Sequence, residues 1–149
     1  MKKILTICLI MLLLCGCSPK PQSYPFVNKS EPIESVELLY YPRANNVDEE
    51  WMAFQQIRVL EPEEITTFMN ALYALPTKRA RPTPPSDYGS YVARVTYENG
   101  DMEYFGSVHI EFVANGTDAH AMGYYYFPGN AFEELFFGYA GEWQNAMRE

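Results

Sequence analysis

Tyr91-Val92-Ala93-Arg94-Val95-Thr96-Tyr97-Glu98-Asn99-Gly100-Asp101-Met102-Glu103-Tyr104-Phe105 is the stretch on which the fold turns. Tyr91, Ala93, Val95 and Tyr97 fall on one side of an extended chain, and Val92, Arg94 and Thr96 on the other. That alternation is the signature of a strand with two different faces. Asn99-Gly100 is a hairpin-turn signal, because both residues accept the positive φ of a type I′ turn. The chain then returns as one strand from Met102 to Val113, bent at Gly106. Asn115-Gly116 marks a second turn, and Ala119 to Phe127 is the last strand, carrying Tyr124, Tyr125 and Tyr126. The stretch is therefore the centre of an antiparallel meander.

Working outward, Val36 to Tyr41 reads as an early strand stopped by Pro42, and Trp51 to Leu60 as its hairpin partner. In that partner Trp51, Ala53, Ile57 and Val59 share one face, and Phe54, Arg58 and Leu60 the other. A helix follows. Pro62 suits its first position, and Glu63 and Glu64 suit the positive end of its dipole. Ile65, Phe68, Met69, Leu72 and Leu75 form one apolar stripe, and Pro76 ends it. Beyond Pro128-Gly129-Asn130, Asn130 with Glu133 resembles a capping box, and Phe132, Leu135, Phe136 and Tyr139 make a second stripe that Trp143 and Met147 continue. The expected fold is α+β: an antiparallel sheet of about five strands in the order β-β-α-β-β-β-α, with the helices packed on one face.

The beginning of the chain is of a different kind. Lys2 and Lys3 precede an apolar run from Ile4 to Leu14, the first two parts of an export signal. The run is too short to cross a hydrocarbon core, which takes roughly 20 apolar residues. It ends in Leu14-Cys15-Gly16-Cys17. On those residues the chain resembles bacterial lipoproteins. The resemblance implies a signal peptide over residues 1–16, a diacylglyceryl thioether on Cys17, and anchoring on the outer, extracytoplasmic face of a membrane. Two acyl chains suffice for stable anchoring. Residues 17–35, with four prolines and several small polar residues, read as a lipidated cysteine and flexible tether reaching at most about 60 Å. Residues 36–149 read as a single α+β domain. The other cysteines, Cys8 and Cys15, leave with the signal, so the domain has neither thiol nor disulfide. Its early strand pair, Glu63-Glu64-Ile65 helix, proline-bearing loop, Asn99-Gly100 hairpin and aromatic end also look like small lipoproteins of Gram-positive bacteria. That likeness implies a fold and a location, and transfers no catalytic residue.

The chain carries 11 basic and 19 acidic residues. Without Lys2 and Lys3 the balance is 9 against 19, a net charge of −10. That sign argues against nucleic acid as a partner. Lys78, Arg79 and Arg81 stand out within the proline-rich loop 76–90. Arginine's planar fork suits carboxylates and phosphates, so the loop is either a solvated counterweight to the acidic surface or an anion-binding element. The 12 tyrosines include Tyr124, Tyr125 and Tyr126, whose side chains must alternate; they either pack under the helices or present a recognition face. His109, Glu111 and His120 lack any metal-ligand spacing such as H-E-x-x-H, so neither a metal nor another cofactor is expected. No G-x-S-x-G elbow or G-x-x-x-x-G-K-[ST] loop is present, and no catalytic residue is assigned.

The expected function is that of a membrane-anchored binding module at the cell envelope, with a protein or glycan as partner. The alternatives are an inhibitor or immunity-type lipoprotein and, behind it, an envelope hydrolase using paired carboxylates.

Overall fold

The computed structural model describes residues 23–40, 54–79, 91–107, 110–114, 117–118 and 124–141. The α+β class and the antiparallel sheet are as expected. In chain order the elements are β1 (Ile33–Tyr40), β2 (Gln55–Val59), α1 (Pro62–Ala74), β3 (Lys78–Arg79), β4 (Tyr91–Tyr97), β5 (Met102–Gly106), β6 (Ile110–Ala114), β7 (Thr117–Asp118), β8 (Tyr125–Tyr126) and α2 (Ala131–Tyr139). The sheet runs β2-β1-β4-β5-β6-β8-β3, with β7 folded back on β6.

Cross-strand register explains the core. Val36 lies opposite Val95 and Leu38 opposite Ala93, and Ala93 lies opposite Phe105. These residues form one buried cluster with Phe68, Met69 and Leu72 of α1 and Phe132 and Phe136 of α2. Residues of the other parity make a smaller cluster from Leu39, Val92 and Tyr104, with Phe54, Met102 and Val113 packed against it. The two-faced alternation of Tyr91–Tyr97 thus reflects two apolar layers of unequal size. On the second side Glu37 and Arg94 are cross-strand neighbours joined by an ion pair at 2.5 Å.

Four local expectations need correction. The return strand is not a single bent strand. It is two strands, β5 and β6, paired antiparallel with Phe105 opposite Ile110, because the chain reverses just after Gly106. The Asn99-Gly100 turn is not type I′. Gly100 has φ 87°, whereas Asn99 keeps a negative φ. Gly100 N–H donates to the Tyr97 carbonyl, and Tyr97 N–H to the Asp101 carbonyl. This is the three-residue turn whose last position needs a left-handed residue. Asn99 instead uses its side chain, accepting from Asp101 N–H at 2.9 Å.

The third correction is a bulge. β1 and β2 lose register between Leu38 and Leu39, with Arg58 and Gln56 as the successive partners, so Ile57 is the extra residue. A bulge reverses the parity of everything beyond it. Phe54 therefore joins the second cluster, while Leu60 joins the first. Fourth, Asn130 does not form a box with Glu133. Its side-chain amide donates to Glu134 at 2.6 Å. At the far end of α2, Gly141 at φ 67° takes the left-handed position that stops a helix. Trp143 and Met147 lie outside the described residues. Helix α1 matches its stripe: Phe68, Met69 and Leu72 are buried, and Ile65 and Leu75 pack against them.

The folded unit also begins earlier than Val36. Tyr24 is only 4% exposed and Asn28 only 6%. Phe26 stacks near Phe105 and meets Tyr24 and Tyr73 edge-on, each at 5.1 Å between ring centres. Phe26 holds φ 46°, a conformation that disfavours a bulky side chain, and its three aromatic contacts keep it there. From Tyr24 onward the expected tether belongs to the domain, because its aromatic rings complete the core.

Candidate functional site

Among the described residues β3 is the last strand in the sheet order and pairs with β8 alone. Lys78 lies opposite Tyr126 and Arg79 opposite Tyr125. Two features 46 residues apart in the chain, the basic run and the tyrosine run, thereby form one edge. Lys78 and Arg79 are strand residues and not part of a loop, and both are exposed. Thr77 before them is buried. Arg81 lies outside the described residues.

The three tyrosines divide as alternation requires. Tyr125 is 2% exposed and its ring meets Tyr24 at 5.5 Å. That position gives it a packing role and removes it from any recognition face. Tyr124 and Tyr126 are half-buried and border the surface. The edge accordingly presents two exposed cations, one of them opposite the half-buried Tyr126 ring, a combination suited to anionic groups next to apolar or ring-bearing ones.

On β5, at the centre of the sheet, lies a group with no signal in the sequence. Glu103 is fully buried. Tyr24 donates its hydroxyl to Glu103 Oε1, and Tyr97 donates to Oε2. A buried carboxylate is tolerable only when its oxygens are satisfied in this way. Burial pushes the Glu103 carboxyl up, and the two tyrosine hydroxyls hold it back. Burial also raises Tyr24 and Tyr97 well above the ordinary tyrosine value, and the neighbouring Glu103 charge raises them further. Burial likewise raises Tyr73, next to the same group. The cluster is sealed from solvent, so it pins the N-terminal segment and is not placed to act on a substrate. Tyr24 N–H adds a second fastening, donating to Thr77 Oγ1 at 2.7 Å.

An open groove of about 390 Å³ lies between the N-terminal segment and α1, lined by Lys29, Glu31, Glu34, Thr66, Asn70 and Tyr73 among others. Lys29 Nζ sits 5.2 Å from the centre of the Tyr73 ring. Among the described residues no cluster of three or more histidine, cysteine or acidic side chains is arranged to hold a metal. His109, His120 and the Glu111 side chain lie outside them. Among the described residues no helix is long and apolar enough to cross a membrane. No protein-family model matches this chain, and neither the curated proteins nor the solved structures searched contain a match.

Proposed function

We propose that this chain is a membrane-anchored extracytoplasmic lipoprotein that acts as a binding module at the cell envelope, with the β3–β8 edge as its contact surface. The observation that carries the binding reading is the pairing of β3 with β8, which sets exposed Lys78 opposite half-buried Tyr126 and exposed Arg79 next to it. It joins the exposed cations of an acidic protein to an aromatic strand. The lipobox Leu14-Cys15-Gly16-Cys17 supports the anchor.

The test uses the full chain isolated from bacterial membranes. Intact mass should show a diacylglyceryl adduct on Cys17, and Cys17→Ser should abolish it. Retention of envelope fragments by the chain should fall at least tenfold in a Lys78→Glu/Arg79→Glu variant. Unchanged retention would remove the β3–β8 edge as the contact surface, and an unmodified Cys17 would remove the anchor.

A further inference from the structure

We propose that the β3–β8 edge docks on the anionic phosphate head groups, of the phosphatidylglycerol type, of the bilayer in which the chain is anchored. The proposal rests on the lipoprotein reading above and names the ligand of that same edge. Its starting point is the place where the chain enters the fold. Tyr24 is the first buried residue among the described ones, and its N–H is bonded to Thr77. Thr77 immediately precedes Lys78 and Arg79. The segment leading back to Cys17 therefore leaves the domain beside the basic edge.

Chain length limits what that edge can face. Six residues separate Cys17 from Tyr24. Fully extended, those seven steps span at most about 25 Å, less than half the reach of a tether ending at residue 35. A domain of this size has a radius of gyration of about 13 Å, hence a width exceeding the tether. The side from which the tether leaves is held nearest the membrane.

Charge then selects an orientation. The processed chain would carry net −10, so most of its surface is repelled by an anionic bilayer. Lys78 and Arg79 are exposed where the tether draws the domain in. Within a Debye length of about 8–10 Å their attraction is not screened. The arginine fork matches a phosphate, and Tyr126 opposite Lys78 supplies an amphipathic ring of the kind found at membrane interfaces. Each basic residue near an anionic surface favours the docked state by about fivefold. Lys29 is a further exposed cation near the N-terminal segment, its Nζ over the Tyr73 ring. Glu31 and Glu34 share its groove and offset it, so Lys78 and Arg79 dominate.

The experiment places the full chain, with lipid on Cys17 verified by intact mass, in vesicles of phosphatidylcholine and in vesicles of equimolar phosphatidylcholine and phosphatidylglycerol. A membrane-impermeant amine reagent is applied, and labelling of Lys78 is followed by peptide mass spectrometry. Lys78 should label several-fold more slowly in the anionic vesicles, and high salt should restore the faster rate. Arg79→Glu should do the same without salt, whereas Lys29→Glu should do so less. Equal labelling in both vesicles, with lipid present on Cys17, would overturn the docking and leave the anchor standing. Absence of lipid on Cys17 would instead overturn the lipoprotein reading. Protection appearing only when a soluble envelope extract is added would assign the edge to a macromolecular partner and also overturn the proposal.

Discussion

Tyr24 donates its hydroxyl to Glu103, and the two residues stand 79 positions apart in the chain. The bond joins the segment leading to the proposed anchor to the centre of the sheet. Glu103→Ala would strip both tyrosine hydroxyls of their acceptor and leave a void. Unpaired buried hydroxyls cost about 1–3 kcal/mol each, so the loss should be about 3–5 kcal/mol. Urea unfolding monitored by tyrosine fluorescence measures it; a loss below 1 kcal/mol would contradict the assignment of this cluster as a fastening.

The same cluster dictates how stability follows pH. Folded Glu103 keeps its proton to higher pH than its ordinary value of 4.5, because burial disfavours the charge. Between those two values the folded state binds more protons than the unfolded one. Its contribution is thus fully present below the ordinary value and is lost as pH rises through the folded value. Glu103→Gln has no such proton, so its stability should vary less across that window, as urea midpoints at a series of pH values would show.

Tyr24 and Tyr97 act in the same direction at the alkaline end. Their folded values lie well above the ordinary 10.0. Their contribution is complete below 10.0 and lost above it, as the unfolded chain ionises first. Tyr97→Phe should lower stability at neutral pH by about 1–3 kcal/mol and flatten the decline above pH 10.0. A decline as steep as in the parent protein would show that other tyrosines control alkaline unfolding.

Arg58 joins three elements. Its guanidinium donates to Glu64 of α1 at 2.8 Å and to the Tyr139 carbonyl of α2 at 2.8 Å. The Arg58 and Glu64 side chains are about one-third exposed, so water screens the charge attraction. Arg58→Met keeps the apolar stem and should cost about 1 kcal/mol, mostly through the unpaired Tyr139 carbonyl. Thermal melting of Arg58→Met and Glu64→Gln separates the two bonds, with the smaller shift expected for Glu64→Gln.

Gly141→Ala isolates a backbone effect. A Cβ at Gly141 would meet nothing within 4 Å, yet the residue sits at φ 67°. The expected cost is about 1 kcal/mol from conformation alone. Gly138→Ala, in the helix and equally uncrowded, should instead stabilise by up to about 1 kcal/mol. Opposite signs in chemical denaturation are the outcome to look for.

Local signals in the sequence were readable where they sufficed to determine structure. The stripe from Ile65 to Leu75 defines α1, and the alternation of Tyr91–Tyr97 defines β4 with its two apolar sides. What escaped depends on partners far along the chain. Residues 17–35 look like a tether by composition, and nothing near Tyr24 announces Glu103 as its acceptor. The extra residue at Ile57 is invisible until β1 supplies the register, so alternation alone places Phe54 with Arg58 and Leu60. Of the candidate site, Lys78, Arg79 and the tyrosine run were legible one at a time. Their pairing needs the meander to bring β8 beside β3, and the inward turn of Tyr125 needs the core.

The 79-residue gap between Tyr24 and Glu103 also sets an order of events. A contact of that separation carries a large loop-closure entropy and forms only after local contacts have assembled. The β4–β5 hairpin that carries Glu103 must exist before Tyr24 has anywhere to bind. Under the proposed lipoprotein reading the chain is exported N-terminus first, so the segment nearest Cys17 is the first to arrive and among the last to be captured. On that proposal the cysteine is modified before Tyr24 reaches Glu103, and closure of the fold afterwards draws the domain down toward the lipid.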